Sequence, residues 1–198
     1  MIRREAERLT EICCKRNWID EDTRAWCIYA LEKWIGLSLF FTAVLVWTVL
    51  SRRYVETVAF LGPFYLIRRR MGGCHAKSAC ACFFISLGLV VFVSRFLGDW
   101  LMLLPFWSLL MLDCTVTVIL LVLSPAYPLQ VNFGEAEREA NYNRKNILLI
   151  AVLLVQLASV YFVDTRILSH SLCGLTLSAA TIIIQKNILK RSAQDEKT

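Results

Sequence analysis

The sequence predicts an all-α integral membrane protein: about six transmembrane helices preceded by an amphipathic helix at the membrane surface. Three observations lead there. First, 57% of the 198 residues are hydrophobic and mean hydropathy is +0.54, whereas soluble domains hold roughly 45–50% apolar residues even with glycine counted. Second, apolar stretches recur along the whole chain, most of them close to the ~20 residues a helix needs to cross a bilayer core. Third, Lys and Arg gather between alternate stretches, as they do in short cytoplasmic loops of membrane proteins. An ordinary soluble domain is excluded, and no nucleic-acid partner is expected.

Residues 1–33 read as a cytoplasmic or interfacial arm. Within it Ile2, Ala6, Leu9, Ile12 and Cys13 recur at helical spacing with charged residues opposite, a pattern that suits a helix on the inner leaflet or a solvated helical arm. The arm is charged and lacks a short apolar run ending in small residues, so the first span is expected to act as its own insertion signal. The spans are expected near 34–50, 54–67, 79–97, 101–123, 147–163 and 167–185. The second is the weak one, because it is short, begins beside Glu56 and contains Gly62-Pro63; it reads as a tilted span or a re-entrant segment. Residues 124–146 form a polar loop with Pro125 and Pro128 at its start and a charged helical run at its end. With no internal repeat and no soluble segment, residues 1–198 are expected to form a single membrane domain.

Charge sets the orientation. With both termini inside, the inner segments hold seven Lys/Arg before Trp34, then Arg68, Arg69, Arg70 and Lys77, then Arg138, Arg144 and Lys145, and four more in the tail, or 18 of the 22. The outer side keeps only Arg52, Arg53, Arg95 and Arg166. Both termini are therefore expected in the cytoplasm, and the stretch GGCHAKSACACF at 72–83 falls at the inner membrane surface. The eight cysteines lie in spans or on cytoplasmic flanks and read as reduced thiols.

That stretch places His75 seven residues before Cys82. A cysteine in the first turn of a helix gains from the exposed N–H groups and the positive dipole end, and nearby cations favour its thiolate. On one continuous helix the two residues would stand about 10.5 Å apart along the axis, so a dyad needs the helix broken before His75. Gly72-Gly73 can supply the break. Two other readings stay open on the residues alone. Cys82 is also suited to be a small buried hydrophobe beside an ordinary basic fringe. Cys74, His75, Cys80 and Cys82 could instead hold zinc or copper(I), although C-H-x4-C-x-C is not a usual zinc spacing. Asp113, the one acid in the middle of a span, carries an insertion cost of about 2.5–3.5 kcal/mol. Lying about 15 Å deep against about 5 Å for Cys82, it is expected to serve contacts between helices or protomers.

The residues RRRMGGCHAKSACAC at 68–82 resemble the accessory gene regulator B family of membrane peptidases from Gram-positive bacteria. The shared features are a basic run ending the short second span, Gly-x-His-Ala, and a cysteine seven residues after the histidine. Length, basic arm, span number and the Pro-containing inner loop are similar over the whole chain. The resemblance implies a cysteine endopeptidase in the bacterial cell membrane, with Cys82 as nucleophile and His75 as its base at the cytoplasmic face. Its partner would be a small AgrD-type precursor peptide lying on the lipid bilayer, cleaved through a thioester acyl-enzyme and closed to a cyclic quorum-sensing signal. It further implies a homodimer, no cofactor and no metal, and matches Arg68 and Gly73 to positions where the family usually has a basic residue and a glycine. Arg68, Arg69, Arg70 and Lys77 are expected contacts for an acidic C-terminal segment of the precursor; the same charges suit anionic lipid. A non-catalytic membrane protein, either a soft-metal binder or a peptide exporter or scaffold, is the alternative.

Overall fold

In the computed structural model, the described residues, 2–16, 18–73, 79–126, 134–161 and 164–195, are helical apart from short connections. The only extended pairing among them is an isolated parallel bridge between Gly72 and Ala126. Three described helices, Arg24–Ser51, Cys80–Leu101 and Thr165–Arg191, are long and apolar enough to cross a membrane, and a shorter apolar helix covers Phe106–Val122.

The chain divides into two compact units. The first holds α1 (Ile2–Lys15), a 3-10 turn (Glu21–Thr23), α2 (Arg24–Ser51) and the first turns of α4 (Ala79–Phe92). The charged side of α1 is laced by Arg3–Glu7 and Lys15–Glu11 pairs at i,i+4 spacing, 3.1 and 2.9 Å, a spacing at which side chains are neighbours on a helix. Its apolar stripe divides: Ala6 is fully buried with Thr10, while Leu9 and Ile12 point outward. The helix that holds the expected first span, α2, starts ten residues before residue 34 and so carries part of the expected arm. Phe83 of α4 meets Phe40 of α2 edge to face, with centroids 6.4 Å apart.

The second unit holds α3 (Tyr54–Met71), the rest of α4, a wide π turn (Val93–Leu97), α5 (Gly98–Leu101), α6 (Phe106–Val122), α7 (Glu135–Tyr161) and α8 (Thr165–Asp195). α8 is its axis. Leu175, Ala179 and Ile182 of α8 pack with Ile67 and Met71 of α3, Leu120 of α6 and Leu149 of α7 in one apolar cluster. Close approach depends on glycine: a Cβ at Gly174 would run into the Phe60 carbonyl, and one at Gly98 into the His170 ring. Small residues of this kind let helices meet closely where no water drives them together.

Two expectations of the sequence are revised here. Gly62-Pro63 does not interrupt the second span; α3 runs through it as one 18-residue helix, about 27 Å long at 1.5 Å per residue. The connection between the third and fourth spans is not at 98–100 but at 102–105. Gly98-Asp99 has the composition of a break, yet it stays helical because Gly98 seats the His170 ring and Asp99 pairs with Arg53 at 2.7 Å. Pro105, with φ near −55°, then opens α6, a position where its missing N–H costs nothing.

Asp113 is fully buried. Its Oδ1 accepts a hydrogen bond from Gln156 Nε2 at 2.8 Å, and the same amide nitrogen donates to Ser171 Oγ at 2.9 Å. One acid thus ties α6, α7 and α8 together, which answers its expected role in helix contacts.

Candidate functional site

The site begins where α3 ends. Gly72 N–H donates to the Arg68 carbonyl at 3.0 Å, closing the helix, and the chain then adopts φ values of +75° at Gly72 and +139° at Gly73. Side-chain-bearing residues rarely hold such angles, so the glycine pair is a backbone requirement. Space adds a second constraint: a Cβ at Gly73 would stand 3.1 Å from Thr181 Oγ1 of α8. On the other side, Ala126 N–H donates to the Met71 carbonyl at 2.8 Å. The expected break is therefore present, and it is pinned between α8 and the segment that follows α6.

That segment is itself fixed. Lys145 of α7 is fully buried and its Nζ donates to the carbonyls of Leu120, Leu121 and Leu123 at 3.0, 3.0 and 3.3 Å. The first two belong to the last turn of α6, whose carbonyls have no partner within the helix, and Leu123 is the residue just past its end. Tyr142 adds a hydroxyl bond to the Leu121 carbonyl at 3.0 Å, and its ring lies 3.9 Å from the ammonium, a cation–π contact. Lys186 of α8 donates to Ser124 Oγ at 2.7 Å. Lys145 precedes the apolar run that starts at Ile147; burial, with Lys186 adding like charge, pushes it down to about 8.

Of the basic residues expected to contact an acidic peptide, Arg68 lies over the Phe64 ring at 5.5 Å, Arg69 is exposed, and Arg70 donates to Asn141 Oδ1 at 3.4 Å. Cys82 is half-buried in the first turn of α4, and Cys80 is exposed. The Phe83–Phe40 contact fixes the helix beside Cys82. Two residues apart on a helix, Cys80 and Cys82 project about 200° from one another, so they present to different surroundings. Cys74, His75 and Lys77 lie outside the described residues, and with them two members of the four-ligand metal set. Among the described residues no cluster of three or more His, Cys, Asp or Glu side chains could hold a metal ion.

Sequence reasoning passed over Lys145, Tyr142, Ala126 and Gln156. Lys145 was counted only as inner positive charge. The one available signal was its spacing: Lys145, Leu149 and Gln156 recur on one face of α7, and all three are buried. Ala126 acts through its backbone, which no side-chain pattern reveals.

The family model described as Accessory gene regulator B matches residues 6–185. No curated protein and no solved structure matches the chain.

Proposed function

We propose a function for this chain on the premise that it belongs to the accessory gene regulator B family, whose role is in processing the agr quorum-sensing peptide. The chain is a multi-pass cysteine endopeptidase of a Gram-positive cell membrane, acting as one domain on an AgrD-like precursor at the cytoplasmic face. Cys82 is the nucleophile and His75 its base. The observation that carries this reading is the backbone on either side of the pair. Two residues before His75 the chain leaves α3 through left-handed glycines, and Cys82 occupies the first turn of α4. The first supplies the break that a dyad at this spacing needs, and the second puts a thiol in the first turn of a helix, at the positive end of its dipole.

Cys82 thiolate attacks the scissile carbonyl, and His75 delivers its proton to the departing amine, leaving a thioester between Cys82 and the new C-terminus of the peptide. A thiol or hydroxyl within the same peptide then attacks that thioester. The ring closes as a thiolactone or lactone and Cys82 leaves as thiolate. A thioester open to water would instead hydrolyse to a linear product, which is why a site at the apolar boundary suits the chemistry. Arg68, Arg69, Arg70 and Lys77 hold the acidic end of the precursor, and Gly73 shapes the approach.

Orientation has support within the second unit. Arg53, Ser94, Asp99 and His170 gather at one end of its helices, and Gly73, Ser124, Lys145 and Lys186 at the other. The charge count supports the first end as the outer one and the second as the inner one. The test is co-expression with a short peptide encoded beside this chain, followed by mass measurement of the products. Cys82→Ala and His75→Ala are expected to yield only uncut precursor, while Cys80→Ala and Cys74→Ala still yield processed peptide. Full processing by Cys82→Ala would overturn the assignment.

A further inference from the structure

The peptidase reading uses none of the groups that hold the far side of the Gly72–Gly73 exit. Lys145 is a buried ammonium bonded to three backbone carbonyls, an arrangement that binds a helix end rather than a ligand. Its consequence lies downstream. The carbonyls it gathers lead within a few residues to Ser124, held by Lys186, and to Ala126, whose N–H is bonded to Met71. Met71 is fully buried and Gly73 abuts Thr181, so the backbone that leads to His75 is set from two sides.

We propose that Lys145, with Tyr142 and Lys186, is a positioning device for the catalytic histidine, acting through the Ala126–Met71 hydrogen bond on the Gly72–Gly73 exit. This rests on the peptidase reading and deepens it. The lysine touches no reacting atom; it fixes the end of α6, the end of α6 fixes Ala126, and Ala126 holds Met71, the last residue of α3 before the Gly72–Gly73 exit. Small displacements of a general base are costly: a misplacement of about 1 Å can lower a rate on the order of 100-fold.

The effect can be read without the natural substrate. In the full-length protein in detergent, the rate at which iodoacetamide alkylates Cys82, followed by peptide mass mapping across pH, reports whether an imidazole assists the thiol. Wild type is expected to react fast at neutral pH and His75→Ala slowly, with a profile moved to higher pH. Lys145→Met and Ala126→Pro, the second removing the N–H that meets Met71 and also fixing φ at that residue, are expected to move the profile in the direction of His75→Ala. With precursor present they should lower kcat by about 10-fold or more and leave KM within about twofold, the split expected when positioning and not binding is lost. Lys186→Met should do the same more weakly. If Lys145→Met does not fold, Ala126→Pro and Lys186→Met carry the test. Folded variants with a wild-type Cys82 profile and wild-type kcat would overturn the positioning role. Cleavage that survives Cys82→Ala, or a Cys82 profile indifferent to His75→Ala, would strike the peptidase reading itself, so the two failures are distinguishable.

Discussion

α2 and α8 have nearly the same hydropathy over their most apolar 18 residues, 1.9 and 1.8, yet 11% of that window is buried in α2 and 61% in α8. Hydropathy fixes whether a helix can enter a bilayer; it does not say whether lipid or protein will surround it. The difference lies in what interrupts the apolar residues. α8 carries Ser169, Ser171, Gly174, Ser178 and Gln185 along a buried side, small or hydrogen-bonding groups that let neighbouring backbones approach. α2 has small residues too, but turns Trp34, Phe41, Leu45, Val49 and Leu50 outward, a surface suited to acyl chains or to another apolar helix.

This contrast can be broken most sharply at glycine. Gly174→Ala would drive a methyl group into the Phe60 carbonyl, with an expected loss of about 3 kcal/mol, the upper end for overpacking. Gly36→Ala in α2 meets nothing within 4 Å and should leave the melting temperature in detergent unchanged. Equal responses would mean that α8 is not the packed axis. A smaller effect is expected from Gln156→Leu, which leaves the buried Asp113 carboxyl without its donor. Chemical denaturation should record a loss of about 1–2 kcal/mol, between the penalty for an unsatisfied buried group and the modest worth of hydrogen bonds between membrane helices. Ser171→Ala removes only the second acceptor of that amide and should cost about 0.6 kcal/mol; a loss larger than that of Gln156→Leu would locate the anchor at Ser171 instead.

The smallest effect belongs to the connection before α8. Asp164 is held below its ordinary value by hydrogen bonds from the Arg166 side chain and backbone. A carboxyl lowered in the fold stabilises above its unfolded value, and that contribution disappears as pH falls through the folded one. Asp164→Asn is therefore expected to lower the melting temperature slightly at pH 7, with the difference closing below about pH 4. A difference that grew on acidification would contradict the pairing.

Legibility followed the same line. The expected spans at 34–50, 54–67, 79–97 and 167–185 each fall inside a helix, because long apolar runs leave the backbone no other way to satisfy its polar groups. Gly98-Asp99 and Gly62-Pro63 misled because their partners, His170 and Arg53 for the first pair and the apolar packing of α3 for the second, lie far off in sequence. At the site, the glycine break and the helical start before Cys82 were readable, since φ above zero and helix termini are local properties. The lysine clamp was not: a lysine beside a span has the same sequence signature whether it faces lipid headgroups or the carbonyls of another helix.

By itself, then, the sequence determined a helical membrane chain, its basic stretches, and a histidine and cysteine that both follow a backbone break, all properties set by composition and short-range geometry. Only the tertiary structure decided that α8 is the packed axis of the second unit, that Asp113 joins three helices, and that Lys145 and Ala126 hold the exit from α3. Those outcomes depend on which backbone carbonyls and small residues meet across more than 20 residues of chain, and a carbonyl is the same atom at every position.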